Sequence, residues 1–307
     1  MRRPPPPDTI GLQLREVDPR ELGAVARLGS EDVLRALRLV SRGRIFDLDP
    51  GRFPGMPQWE GHPPFLLTTY RSPAGTGVQQ DLDLLDGRRN GVDYRFTSEL
   101  LVTSMHAGAH LDALCHASVA GEWHGGFRAR DEVGDFGALR SDAATIPPIV
   151  APGALLDVAG HRGVEHLPPG EQIEADELAE VAAARRVQPG GVVLVRTGAM
   201  SCWPDPSAYA EAARAGIGLG AARYLVEELG AVLVGADTPA VEHQPSDTPD
   251  NPHPVHTYLL HDRGVHQLEY LWLEELARAK ADAFAFVCLP LKVSGATASM
   301  VRPVAIV

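Results

Sequence analysis

The stretch from Met105 to Ala117 reads MHAGAHLDALCHA, and it constrains the chain more than any other. His106, His110, Asp112 and His116 place three imidazoles and a carboxylate within eleven residues, interleaved with small and apolar ones. These are the side chains that divalent metals take. Such a segment has to fold with its polar donors on one side and its apolar residues against a core. If it is extended, the even-numbered residues share a face and all four donors point the same way. If it is helical, His106 and His110 still stack four residues apart. Gly108 leaves room between these two imidazoles in either geometry.

Short apolar runs alternate with helical patterns around this stretch. Gly43 to Leu48, Phe65 to Tyr70, Glu99 to Met105, Ala154 to Val158, Val192 to Arg196, Ala231 to Gly235 and Ala283 to Leu289 read as strands. Ala175 to Arg186, Leu219 to Leu229 and Leu273 to Lys280 read as helices, the first stopped by Pro189-Gly190. Strands alternating with helices predict an α/β fold. Residues 1–9, with four consecutive prolines, read as a tail. One or two helices are expected between Leu12 and Val40. The chain therefore divides into a tail and helical extension, 1–42, and a catalytic domain, 43–307. The helical extension is expected to pack on another subunit or on the flank of its own domain. The loop from Pro50 to Pro64 is long and rich in proline and glycine, the kind that usually serves function. It carries Phe53, Trp59 and His62, and with Phe65 its aromatics are candidates for a wall against a planar substrate.

The 307 residues suffice to bury a large core. A formal charge of −12 argues against nucleic acid and anionic membrane as partners. No apolar run reaches the roughly 18 residues of a membrane helix, and MRRPPPPDT has no apolar stretch of the signal-peptide kind. Three scattered cysteines, Cys115, Cys202 and Cys288, do not suggest a disulfide framework. A cytoplasmic location is expected. There is no Gly-x-Ser-x-Gly elbow for a serine hydrolase, and Cys115 lacks the ordered partners of a nucleophile.

The segment His106-Ala-Gly108-Ala-His110-Leu-Asp112-Ala-Leu-Cys-His116 resembles the HxGTHxDxPxH signature of the Putative cyclase family, which includes bacterial kynurenine formamidase and isatin hydrolase. Ala109 stands where that signature has threonine, and Leu114 where it has proline. Gly43 to Leu48, Met56 to Phe65, Gly191 to Gly198, Gly235 to Glu242 and His256 to Glu269 resemble further family segments, in the same order. The resemblance implies a swivelling β/β/α domain, with a mixed sheet core and flanking helices. It implies that His106, His110 and Asp112 bind one metal, zinc or manganese, and that Asp112, His256 and Glu269 bind a second where two are present. His253 and His261 lie close enough in sequence to compete for the role of His256. With a single metal, Glu269 would hold the attacking water or orient a ligand. His116 matches the family's non-ligand catalytic histidine, and an imidazole suits proton transfer near neutral pH. Asp237 is expected to cap a Thr-Pro turn rather than to act in chemistry.

The activity implied is metal-dependent hydrolysis of an amide or lactam C–N bond in a small cyclic or aromatic substrate, of the arylformamidase or isatin hydrolase type. A metal-assisted cyclase and a non-catalytic metal-binding protein are the alternatives. A homo-oligomer, dimer or tetramer, is expected.

Overall fold

The structure, a computed structural model, describes residues 17–79, 91–92 and 94–307. The expected proline-rich tail and the first residues of the expected helical extension lie outside the described residues.

The strands are β1 (Ile45–Asp47), β2 (Leu66–Arg71), β3 (Ser98–Val102), β4 (His110–Asp112), β5 (Ile149–Asp157), β6 (Gly191–Arg196), β7 (Ala231–Ala236), β8 (His266–Glu269), β9 (Ala283–Cys288), β10 (Ala298–Met300) and β11 (Val304–Ile306), besides two-residue ladders. Nine of them form one mixed sheet in the order β1-β11-β9-β5-β6-β7-β8-β4-β10. β5, β6, β7 and β8 run parallel, and the pairings outside them are antiparallel. Among the described residues β2 and β3 pair only with each other.

The sequence explains the centre of the sheet. GVVLVR in β6 and AVLVGA in β7 are buried along their whole length. Parallel strands joined by helical crossovers are covered on both faces and need no polar alternation. The helix Ala175–Ala184 carries Asp176 and Glu177 in its first turn, where the helix dipole favours them. It buries Leu178, Val181 and Ala182, one stripe at helical spacing. The helix expected from Leu219 to Leu229 forms as one element whose second half, Tyr224–Glu228, is wound more widely.

Two short helices precede β1. α1 (Pro19–Leu22) is capped by Asp18, whose own N–H donates to Glu21 in return. Glu21 is buried and accepts from the backbone N–H of Ser141 at 2.9 Å. Gly23, at φ +57°, brings the chain so close to Gly264 that a Cβ would lie 2.2 Å from its carbonyl oxygen. The Ala24 N–H donates to that oxygen at 2.7 Å. α2 (Ser30–Leu37) packs on β5 and β9 of the same chain. Ala24 and Val25 belong to the same core as the sheet. Among the described residues no helix is long and apolar enough to cross a membrane.

The turn after β6 is fixed from β7. Asp237 accepts from Thr197 N and Oγ1 at 2.9 and 2.8 Å and from Gly198 N at 2.8 Å. It therefore holds the Arg-Thr-Gly turn of the neighbouring strand, not its own Thr-Pro turn. Arg196, buried, donates to Asp157 at 2.8 Å and in a fork to both oxygens of Glu274. These contacts lock the ends of β5 and β6 together.

Candidate metal centre

The segment from His106 to His116 is neither one strand nor one helix. Its first residues form a tight turn with Gly108 at φ +62°, and β4 follows. The turn is clamped from the loop at Pro50–Pro64. Arg52 donates Nε to Ala107 O at 2.8 Å, and Nη2 to Ala109 O and to Val301 O. Its remaining Nη1 pairs with Asp49 at 2.7 Å. β4 then pairs with β8 in a register that sets His110 opposite Glu269, and with β10 so that Ala298 lies opposite Asp112. Residues far apart in sequence thus meet at one edge of the sheet.

Four of the expected donors, His106, His110, Asp112 and Glu269, are buried, and His256 is nearly so. His106 Nδ1 lies 3.1 Å from Asp112 Oδ1, with its Nε2 3.0 Å from Thr297 Oγ1. His110 Nε2 lies 3.4 Å from Asp112 and 3.2 Å from Glu269. His256 Nε2 lies 3.3 Å from Glu269 and 4.0 Å from Asp112. Of the competing histidines, His253 is half-exposed beside His256 and shares Glu242 with it, the three offering atoms within 4.8 Å of one another, whereas His261 pairs with Asp262.

The hydrogen bonds behind the two inner imidazoles decide what this cluster fits. His110 Nδ1 faces Gly108 O at 2.8 Å, and His256 Nδ1 faces the Glu242 carboxylate. Both partners only accept, so both Nδ1 atoms carry the proton. The neutral rings then aim Nε2 lone pairs at carboxylates. Acceptors face acceptors, and His110 Nε2, both oxygens of Asp112 and Glu269 Oε1 have no hydrogen-bond partner among the described residues. Such a cluster is stable when a cation stands between its members, either protons on the rings or a metal ion. Without a metal, burial opposes protonation of His110, yet Asp112 and Glu269 together raise it to about 10. His256 is likewise raised, against burial, by Glu242 and Glu269. Burial acts to raise Asp112, but the surrounding imidazoles hold it well below the usual carboxylate range. His110, Asp112 and Glu269 offer atoms within 4.8 Å of one another, as do His106, Asp112 and His116. The residues fit one or two divalent ions.

His116 stands beside this cluster, its ring 4.3 Å from that of His106. Burial dominates its environment and lowers it to about 4, so it is neutral near pH 7. A cavity of ≈ 280 Å³ opens over the donors, lined by His106, His110, His116, His256 and Glu269 with Trp59 and Tyr270. Of the three aromatics expected to face a substrate, Trp59 alone lines it. Phe53 packs edge-on against Trp203 at 5.9 Å, and Phe65 is buried with Met56 and Ala107, because both side chains turn toward the flank that supports the loop. Cys115 is buried, and burial pushes its thiol up to about 12, which removes it as a nucleophile near neutral pH.

A model of the family described as Putative cyclase matches residues 46–243. The chain belongs to that family. A crystal structure of a novel cyclase superposes with a TM-score of 0.80 at 25% identity, covering 94% of each chain. Isatin hydrolase A from Labrenzia aggregata, solved with benzyl benzoate, gives 0.64 at 20% identity, over 91% of this chain and 99% of that one. A potential metal-dependent hydrolase with cyclase activity gives 0.53 at 21%, over 85% and 98%. The mixed α/β fold is therefore the cyclase fold. No curated protein sequence matches the chain.

The two departures from the cyclase signature are both buried. Ala109 offers its carbonyl to Arg52 and to Val301 N, and Leu114 packs on Gly23. Three contributors had no assigned role in the sequence. Glu242 lies within the quoted Asp-Thr segment. It accepts from His253 and His256 on Oε1 and from Val255 N at 2.9 Å on Oε2, and these contacts outweigh burial and hold it down to about 2. Its spacing to His253 and His256, eleven and fourteen residues, was the available signal. His62 stacks on His106 with centroids 4.7 Å apart. Arg52 had no signal beyond its place in the loop.

Proposed function

We propose that this cyclase-family chain hydrolyses an amide or lactam C–N bond in a small cyclic or aromatic substrate, using zinc or manganese held by His106, His110, Asp112, His256 and Glu269. One observation carries the reading: buried imidazole and carboxylate acceptors face one another at the floor of a small cavity, with a neutral imidazole beside them. A divalent ion supplies Lewis acidity, polarising a carbonyl and bringing the pKa of a water toward neutrality.

The protein's own groups do the rest. Glu242 and Gly108 keep the Nδ1 protons of His256 and His110, so that both Nε2 atoms face the floor. Trp59 and Tyr270 give the cavity apolar walls suited to a flat ring, and its volume excludes large substrates. His116 takes a proton from water and returns it to the departing nitrogen. This role rests on its place in the cavity, its ring 4.3 Å from that of His106, and on its neutrality near pH 7.

The reading is supported by the isatin hydrolase structures, which share the fold, and is tested by turnover. Protein loaded with zinc or manganese is assayed on N-formylkynurenine, isatin and a panel of small lactams. Activity on at least one of these, abolished by chelator and restored by metal, is expected. Full activity in metal-free protein would refute it. Glu269→Gln is expected to lose one metal per chain if Glu269 is a direct ligand. Full metal content with reduced turnover would make Glu269 a group that orients water, and an unaffected enzyme would remove it from the site.

A further inference from the structure

Glu242 is 1% exposed, and its carboxylate meets two imidazoles on the outer side of His256. His253 Nδ1 lies 3.1 Å from Glu242 Oε1, and His256 Nδ1 faces the same oxygen. The other nitrogen of His256 looks the opposite way, to Glu269 at 3.3 Å on the cavity floor. Among the described residues no Arg or Lys pairs with Glu242. When His256 is neutral, hydrogen bonds from the rings satisfy this oxygen but leave its buried charge uncompensated. A cation between the three side chains supplies what is missing.

The local chain holds the three together. His253 sits between Pro252 and Pro254, which restrict its backbone, and its N–H donates to Asn251 Oδ1 at 3.0 Å. Pro254 opens the short helix Pro254–His256, so His253 and His256, three residues apart, meet on one side. Their ring centroids are 5.3 Å apart. The Val255 N–H in the same turn anchors Glu242 Oε2 at 2.9 Å and leaves Oε1 to the rings. His253, with 42% of its side chain exposed, also borders an outer pocket of ≈ 580 Å³ beside Thr248, Asp250 and Asn251, which brings solvent to the cluster.

We propose that Glu242, His253 and the Nδ1 of His256 form a further metal site at the rim of the cavity, distinct from the floor, that takes a divalent ion of the zinc class. Two imidazoles and one carboxylate are a set that zinc accepts, with water in the fourth position. Nitrogen donors favour zinc over magnesium or calcium. Bonds of about 2.0 to 2.2 Å put the donors of a tetrahedral ion roughly 3.3 to 3.5 Å apart. His253 Nδ1 and Glu242 Oε1 are already at 3.1 Å, and the three residues offer atoms within 4.8 Å of one another.

Binding requires no net loss of protons. On each ring the proton leaves Nδ1 and one returns at Nε2 by exchange with water, and the freed Nδ1 lone pair takes the ion. His256 Nε2–H then donates to Glu269 Oε1, which has no other hydrogen-bond partner among the described residues. That nitrogen no longer has a lone pair for an ion at the floor. Rim and floor therefore compete for one imidazole, and an ion at the rim withdraws His256 from the floor set.

Zinc alone is the probe, and neither measurement reads turnover, so the outcome is independent of the reaction the cavity performs. Equilibrium dialysis of the full-length protein against rising zinc counts ions per chain. The wild type is expected to take up one more ion than His253→Ala, whose affinity for that ion falls by about tenfold or more. His261→Ala, which removes a histidine paired with Asp262 outside the cluster, is expected to match the wild type. Diffraction at the zinc edge from zinc-soaked wild-type crystals is expected to show an ion between Glu242, His253 and His256. As that peak fills, any ion beside His256 Nε2 is expected to weaken. Equal uptake by wild type and His253→Ala, an equal loss in His261→Ala, or no peak at the rim overturns the inference. Full occupancy on both sides of His256 in one crystal overturns the competition. Should His253→Ala fail to fold, the diffraction experiment on the wild type decides.

Discussion

His110 donates its Nδ1 proton to Gly108, and this one hydrogen bond fixes what its other nitrogen can do. The same logic places Glu242 behind His256. A glutamine there cannot repeat the pattern: its single oxygen would serve either the two imidazoles or Val255 N, and its amide N–H groups would meet the other. Glu242→Gln is therefore expected to weaken metal binding by about 10- to 100-fold, the usual scale for groups that orient a ligand. Competition against a chromophoric chelator measures it, with circular dichroism to check the fold, and unchanged affinity would exclude the role. His116→Asn tests the other assignment. Turnover is expected to fall by about a hundredfold with metal content nearly intact. Since His116 also lies within ligand reach of Asp112, loss of metal in this variant would make it a ligand instead. At this scale the sequence was legible where chemistry is local. His106, His110 and Asp112 share one short segment, and the structure gathers them into clusters of donors that could hold a metal. Glu242 and Arg52 act through contacts that exist only once distant loops have met, so no spacing could reveal their roles.

The strands and helices were legible for a different reason. Burial on both faces writes β6 and β7 as unbroken apolar runs, and the stripe Leu178, Val181, Ala182 writes a helix. The segment after Met105 resisted because its shape is set from outside, by the guanidinium of Arg52 on carbonyls 107, 109 and 301. The ends of the elements are likewise held by polar contacts that pattern does not show. Arg196 joins β5 and β6 to Glu274 at the start of the helix Glu274–Arg278, which follows β8. Both carboxylates it serves are largely buried, with side chains 8% and 12% exposed. Arg196→Met is therefore expected to cost about 3 to 5 kcal/mol in urea unfolding, since it strands buried charge. Adding Glu274→Leu is expected to recover part of the loss. A single variant as stable as wild type would show that the network is not a stabilising one.

At the scale of the whole molecule, the division of the sequence at residue 43 meets a shared core. The described part of the preceding segment supplies Ala24 and Val25 to the main cluster, a buried Glu21 to the backbone at Ser141, and Gly23 to a close approach with Gly264. Gly264 lies just before β8, the strand that carries Glu269, so the segment braces the far end of a site strand. Deleting residues 1–42 would uncover Leu114 and the β5 and β9 surface under α2. Each large apolar side chain brought back to water costs about 1.5 to 3 kcal/mol, so a few of them approach the roughly 5 to 15 kcal/mol that holds a domain together. The truncated chain is expected to melt many degrees lower than the full-length protein or to be recovered unfolded, by calorimetry and circular dichroism. Gly23→Ala makes the same point with one methyl group, since its Cβ would collide with the Gly264 carbonyl. It is expected to lower the melting temperature while leaving the ligand set intact. If residues 43–307 alone melt with the cooperativity and midpoint of the whole chain, the segment is a surface addition and its burial contributes nothing to the fold.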